Sequence, residues 1–154
     1  MKGWSLPTKQ YFDELYRVSV EQIIWGANYY SEYIRPHRCF IIWDKICVSE
    51  TFGMAMCEYA SCSISGNAKI KSINAHVKDR FHFCQKPVRL YEWLLKNYAK
   101  PGDKILDTHG GSMSIAIACD IMGFDLDLYE IDEDYFKAGK ERFERHKQQE
   151  VLDL

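Results

Sequence analysis

Long apolar runs are missing from this chain. The longest, such as Cys39 to Trp43, are far shorter than the roughly 20 residues a membrane span needs. The first residues, Met1-Lys2-Gly3-Trp4-Ser5, contain no apolar leader segment. Both absences point to a soluble, intracellular, cytoplasmic protein. The six cysteines, at 39, 47, 57, 62, 84 and 119, form no CxxC pair. The nearest approach to a metal quartet is Cys57 and Cys62 with His82 and Cys84, so the six read as reduced thiols, mostly buried, and no metal is expected. Internal repeats and low-complexity tracts are absent. A strong net charge is absent too: −2 does not announce a nucleic-acid binder. What is present, 47% hydrophobic and 27% charged residues over 154 positions, excludes a disordered or fibrous chain and suits one domain, 1–154.

The charge is unevenly placed. Residues 1–100 carry 14 Lys+Arg against 9 Asp+Glu, whereas 101–154 carry 6 against 13. The basic excess peaks at Lys69, Lys71, Lys78, Arg80, Lys86 and Arg89, opposed only by Asp79. Asn, Ser and Gly separate these charges, as in a loop that runs along phosphates. An ordinary solvated loop has the same composition.

Thr8 suits a helix N-cap, with apolar residues at helical spacing after it. Residues 22–26, 39–43, 57–64 and 69–73 read as strands, the last following a Gly66-Asn67 turn, and 74–86 as a loop. Pro87 suits the start of an amphipathic helix over 88–98. The last third reads as a βαβ unit. Its parts are a strand at Lys104–Asp107, the turn Gly110-Gly111-Ser112, and an apolar helix closed by Gly123. A strand at Leu126–Glu130 and a helix from Tyr135 to about His146, capped by Asp132, complete it.

Glycines after a strand let backbone approach a ligand, and an acid ending the next strand can accept hydrogen bonds from a ribose. Glu130 follows Asp107 by 23 residues, near the spacing of a dinucleotide fold, but no GxGxxG occurs. A carboxylate at Asp107 would repel a pyrophosphate. It could accept instead from an ammonium group, which favours adenosylmethionine over NAD. The same spacing also suits a structural βαβ unit with incidental glycines.

Taken with Gln85-Lys86-Pro87, Asp107-Thr108-His109-Gly110-Gly111-Ser112 and Tyr129-Glu130-Ile131-Asp132, the chain resembles the β-class amino-group DNA methyltransferases. The likeness is to the small adenine-N6 methylases of phages and prophages above all. Residues 22–30 and 39–45 extend the resemblance over nearly the whole chain. It implies a Rossmann-like α/β sheet, with 1–65 as target-side strands and helix, 66–86 as a basic loop and 87–146 as the cofactor half. It also implies S-adenosylmethionine as cofactor, held by Lys86, Pro87, Asp107, Thr108, Gly110, Gly111, Ser112 and Glu130. DNA would meet Lys69, Lys71, Lys78 and Arg80, inside a bacterial host cell.

The family's Asp/Asn/Ser-Pro-Pro-aromatic motif holds the exocyclic amine of a flipped base. Here the prolines stand at 7, 36, 87 and 101, no two adjacent, so no catalytic residue is assigned. The sheet is therefore expected to be partial, without the N-terminal catalytic strand. Two repairs follow: strand 22–26 pairs directly with 104–107, or another chain, a second copy or a partner protein, supplies the strand. Met113 replaces a small residue of the cofactor motif and could narrow its pocket. His109 reads as structural. Tyr29 and Tyr30 are possible base-stacking residues. Three readings stand: a methylase that works only with a partner segment, a non-catalytic remnant that binds DNA, a host methylase or a defence protein, and a truncated product.

Overall fold

A computed structural model describes residues 6–78 and 80–152; the Met1–Ser5 segment and Asp79 lie outside the described residues. The chain divides into two compact units, Met1–Ser72 and Ile73–Leu154.

The first unit opens with α1, Lys9–Val18, whose N-cap is Thr8 as expected. The cap works through backbone: the Thr8 carbonyl accepts the Tyr11 and Phe12 N–H groups at 3.1 and 3.4 Å. Phe12 is 1% exposed and stacks on Tyr33, centroids 5.6 Å apart, with Tyr30 tilted against it at 5.4 Å. Four strands follow: β1 Ile23–Trp25, β2 Cys39–Asp44, β3 Cys57–Cys62 and β4 Lys69–Ser72, arranged β1-β3-β2-β4. Along β2 the pleat alternates, with Cys39, Ile41 and Trp43 buried and Phe40 exposed. Lys45 is buried just past β2, tied to Glu58 at 3.0 Å and lying over the Trp43 ring. The Gly66-Asn67 turn does not make partners of the strands it joins. Both edges of β3 are already taken, Cys62 facing Ile23 on one side and Cys39 on the other. β4 instead takes the free edge of β2, parallel to it, from Ile41↔Lys69 to Asp44↔Ser72.

The second unit contains the expected βαβ. α2 is Val88–Tyr98, β5 Lys104–Asp107, α3 Ser114–Met122, β6 Asp125–Leu128 and α4 Glu133–Leu152. β5 and β6 are parallel and in register from Lys104↔Asp125 to Asp107↔Leu128. Leu95 of α2 packs with Ile115, Ala118 and Cys119 of α3, and Ile105, Leu126 and Leu128 of the strands close on this cluster. Gly123 ends α3 in a left-handed conformation. Asp132 caps α4, its Oδ1 accepting the Asp134 and Tyr135 N–H groups at 3.0 and 3.2 Å. Parallel strands joined through a helix that packs back on them are the Rossmann-like architecture, here in partial form.

One expectation is corrected. Among the described residues β1 is laddered to β3 and β5 to β6, and the direct pairing of 22–26 with 104–107, one of the two expected repairs, is not among the ladders. No helix among the described residues is long and apolar enough to cross a membrane.

Candidate functional site

Parallel strands present their carboxyl ends on one side, and the loops that leave them converge there. In the second unit those loops are 107–113 and 129–132. Backbone bonds fix the first against the second. Tyr129 donates its N–H to the Asp107 carbonyl at 2.8 Å, and Gly110 donates to the Tyr129 carbonyl at 2.8 Å. Gly110 lets the turn approach β6 closely, because a Cβ there would collide with the Leu128 side chain and force it to move.

Glu130 locks the turn further. One carboxylate oxygen accepts the Gly111 N–H at 2.7 Å and the other the Asp132 N–H at 2.9 Å. Each oxygen keeps a second lone pair. Asp107 ends β5, with Oδ1 accepting the His109 N–H at 2.9 Å. Burial holds its carboxyl above the ordinary range, against the lowering influence of that bond, His109 and Lys86. Thr108 is half-buried, its hydroxyl 3.0 Å from His109 Nδ1, while His109 itself is exposed.

Lys86 and Pro87 are buried beside this turn. The Lys86 carbonyl accepts the Ser114 hydroxyl at 2.7 Å, and Ser114 Oγ lies 3.1 Å from Ser112 Oγ. Gln85, 2% exposed, accepts the Phe81 and His82 N–H groups with Oε1, while its Nε2 is buried with no partner among the described residues. The eight residues assigned to the cofactor from sequence therefore fall in one unit, around one turn.

Four further residues were not assigned from sequence. The His82 ring covers Gly111, within 3.1 Å of where a Cβ would stand, and meets the Tyr135 ring at 4.3 Å. Its Nδ1 accepts the Cys84 N–H at 3.1 Å, so Nε2 bears the proton. Burial lowers its pKa, with Lys86 acting in the same direction and Glu130 and Asp132 opposing. Gly139 of α4 brings that helix against the turn. A Cβ there would stand 2.8 Å from Met113 Cγ and 3.0 Å from the Gly111 carbonyl. Met113 thus packs into α4, at φ +55° and 6% exposed. Arg142, one turn on, donates Nη1 to the Ser112 carbonyl at 2.7 Å and to Ser114 Oγ at 2.9 Å. A glycine inside an otherwise helical stretch was the readable signal for this contact.

The basic residues are split. Lys69 and Lys71 lie on β4 in the first unit, the strand read over 69–73, flanking an Ile70 that is 71% exposed. Lys78 and Arg80 lie in the loop of the second unit, where Arg80 is tied to the Ala75 carbonyl at 2.6 Å. Tyr29 is exposed, whereas Tyr30 is engaged with Phe12. Cys57 and Cys62 stand at opposite ends of β3. Among the described residues no three His, Cys, Asp or Glu side chains gather as a metal site.

Solved structures share this fold. M1.HpyAVI, solved as a SAM complex, is 19% identical over 79% of this chain and 73% of its own, with a TM-score of 0.56. TTHA0409 of Thermus thermophilus, named as a DNA modification methylase and solved with S-adenosyl-L-methionine, is 17% identical. It covers 90% of this chain and 75% of its own length, with a TM-score of 0.59. Comparison with curated proteins gives no match. A family model described as DNA methylase, for N6 and N4 methyltransferases, matches residues 7–141. The chain belongs to that DNA methylase family.

Proposed function

We propose that the second unit binds S-adenosylmethionine and that the chain is a DNA adenine-N6 methyltransferase-like protein, inactive by itself. The observation that carries the reading is the placement of Asp107 at the end of β5 and of Glu130 in the loop just past β6, its parallel neighbour, with Glu130 holding the Gly110-Gly111 turn. The donor set suits the ligand. The buried Asp107 carboxylate is disfavoured as a lone charge and gains from an ammonium partner. The spare lone pairs of Glu130 suit two ribose hydroxyls, and Lys86 beside Pro87 suits a carboxylate. Thr108, Gly110, Gly111 and Ser112 supply the backbone and hydroxyl contacts of the turn. When bound, adenosylmethionine supplies a methyl activated on its sulfonium.

Residues 1–65 then serve as the target side, and Lys69, Lys71, Lys78 and Arg80 contact DNA phosphates by charge. These 154 residues contain no Pro-Pro pair, so the family's motif for holding the target amine is not among them. The catalytic strand comes from another chain, either a second copy or a partner protein, in the cytoplasm of a phage-bearing bacterium. The same absence favours a second reading. In it the chain is a non-catalytic methylase remnant, a pseudoenzyme, that binds DNA, a host methylase or a defence protein.

Calorimetric titration with adenosylmethionine tests the first reading. Binding that Asp107→Ala or Glu130→Ala removes supports it. No heat from folded protein refutes it and leaves the binding-protein reading. Methylation of adenine in DNA by the chain alone, abolished by Asp107→Ala, would overturn the proposed inactivity.

A further inference from the structure

We infer that Arg142 is a positioning residue for the cofactor turn, joining the turn, the start of α3 and the Lys86-Pro87 segment into one rigid cradle. This rests on the adenosylmethionine reading for its ligand, though not for its geometry. Nothing in the sequence gives Arg142 a role, since an arginine on a charged C-terminal helix looks like part of a solvated face.

The geometry contradicts that expectation. The guanidinium reaches two acceptors at once, the Ser112 carbonyl at 2.7 Å and Ser114 Oγ at 2.9 Å. Ser114 then donates to the Lys86 carbonyl at 2.7 Å and is itself 2% exposed. The hydroxyl has one proton, so with that proton on Lys86 it can only accept from Arg142. The relay therefore has one direction: Arg142 to Ser114 to Lys86. Three segments distant in sequence share it.

The charge is the second observation. Burial lowers the Arg142 pKa, and Arg145 acts in the same direction. Both acceptors of the guanidinium, a carbonyl and a hydroxyl, are neutral. A partly buried cation on neutral acceptors is costly, so its two hydrogen bonds must offset that cost. Gly139, one turn earlier, removes the side chain that would keep α4 off the Gly111 carbonyl. Gly139 and Arg142 together bring α4 onto the turn and hold it there. With the turn held, the Gly111 N–H stays on Glu130, and the two Glu130 oxygens stay fixed by the Gly111 and Asp132 N–H groups.

The test uses the full chain with Arg142→Met, Arg142→Lys and Ser114→Ala. Amide exchange at Gly111 and adenosylmethionine affinity are read in each, alongside exchange at Leu94 and Leu95 in α2. Hydrogen bonds to a charged group, once lost, should speed Gly111 exchange about 10-fold to 100-fold in Arg142→Met and weaken binding by a comparable factor. Arg142→Lys, which reaches one acceptor rather than two, should recover part of both. Ser114→Ala keeps the charge but breaks the relay, and should speed Gly111 exchange while leaving the α2 amides unchanged. Wild-type exchange at Gly111 in folded Arg142→Met overturns the proposal. If that variant does not fold, unchanged exchange at Gly111 in Ser114→Ala overturns it. A wild-type chain that shows no adenosylmethionine binding refutes the ligand reading alone, and the exchange measurements still decide the role of Arg142.

Discussion

Replacing Gly139 by alanine separates two opposed expectations. In a solvated helix the change is favourable by about 1 kcal/mol, since glycine loses more backbone freedom. Gly139 is not solvated. The new methyl would stand 2.8 Å from Met113 Cγ and 3.0 Å from the Gly111 carbonyl. The Met113 side chain is flexible but 6% exposed, and the carbonyl belongs to a turn fixed by Glu130. Forcing a methyl into such a contact costs about 1–3 kcal/mol. The balance is a loss of up to about 2 kcal/mol, or a melting temperature lower by several degrees, at roughly 2–4 °C per kcal/mol for this chain length. Thermal denaturation followed by circular dichroism reads it directly. Met113→Ala should cost less in the Gly139→Ala background than alone, because the methyl occupies space the methionine leaves; a coupling of about 0.5–3 kcal/mol is expected for such a contacting pair. A Gly139→Ala variant that melts higher than wild type, with additive behaviour in the double variant, would refute the packing of α4 on the turn.

Other outcomes follow from the same site. Glu130→Gln keeps one acceptor oxygen where two backbone N–H groups need one each, and should destabilise by about 1–3 kcal/mol in chemical denaturation. Asp107→Asn keeps an acceptor for His109 but removes a carboxylate whose folded pKa is raised. A raised acid pKa opposes folding above that pKa, and the opposition fades as pH falls through it toward the unfolded value near 3.8. The variant should therefore melt higher than wild type at neutral pH, with the gap closing in acid; a gap that widens in acid contradicts the burial. Alkylation of native protein at pH 8, read by mass spectrometry, should label exposed Cys47, Cys57 and Cys84 first. Cys62 and Cys119, buried and pushed up to about 12 and about 11, should label only in denaturant.

The sequence was most legible where local chemistry decides the outcome. Asp132 caps α4, Gly123 closes α3 and Thr8 opens α1 because each signal is satisfied within a few residues. The cofactor turn was legible for the same reason, as glycines and acids at fixed offsets along one βαβ unit. Pairing was not legible. The turn before β4 says where a strand starts, but the occupied edges of β3 decide where it goes. The strand limits slipped as well: β6 ends at Leu128, yet Tyr129 continues its bonding to Asp107, so Glu130 is held by the loop rather than the ladder. Arg142 escaped because its partners are a carbonyl and a serine on other segments, which leave no mark in charge pattern or spacing.

The parallel attachment of β4 bears on the order in which the first unit assembles. The β2–β3 pairing needs only the loop between consecutive strands to close, whereas β4 must return past β3 to reach β2, a connection of higher contact order. β4 therefore joins an antiparallel sheet already formed. Like β1 at the opposite edge, it has a neighbour on one side only, and edge strands detach at less cost than the central β2 and β3. Lys69, Ile70 and Lys71 thus occupy an edge strand that joins the sheet through a long-range pairing, and a polyanion gripping those lysines would raise the cost of its opening.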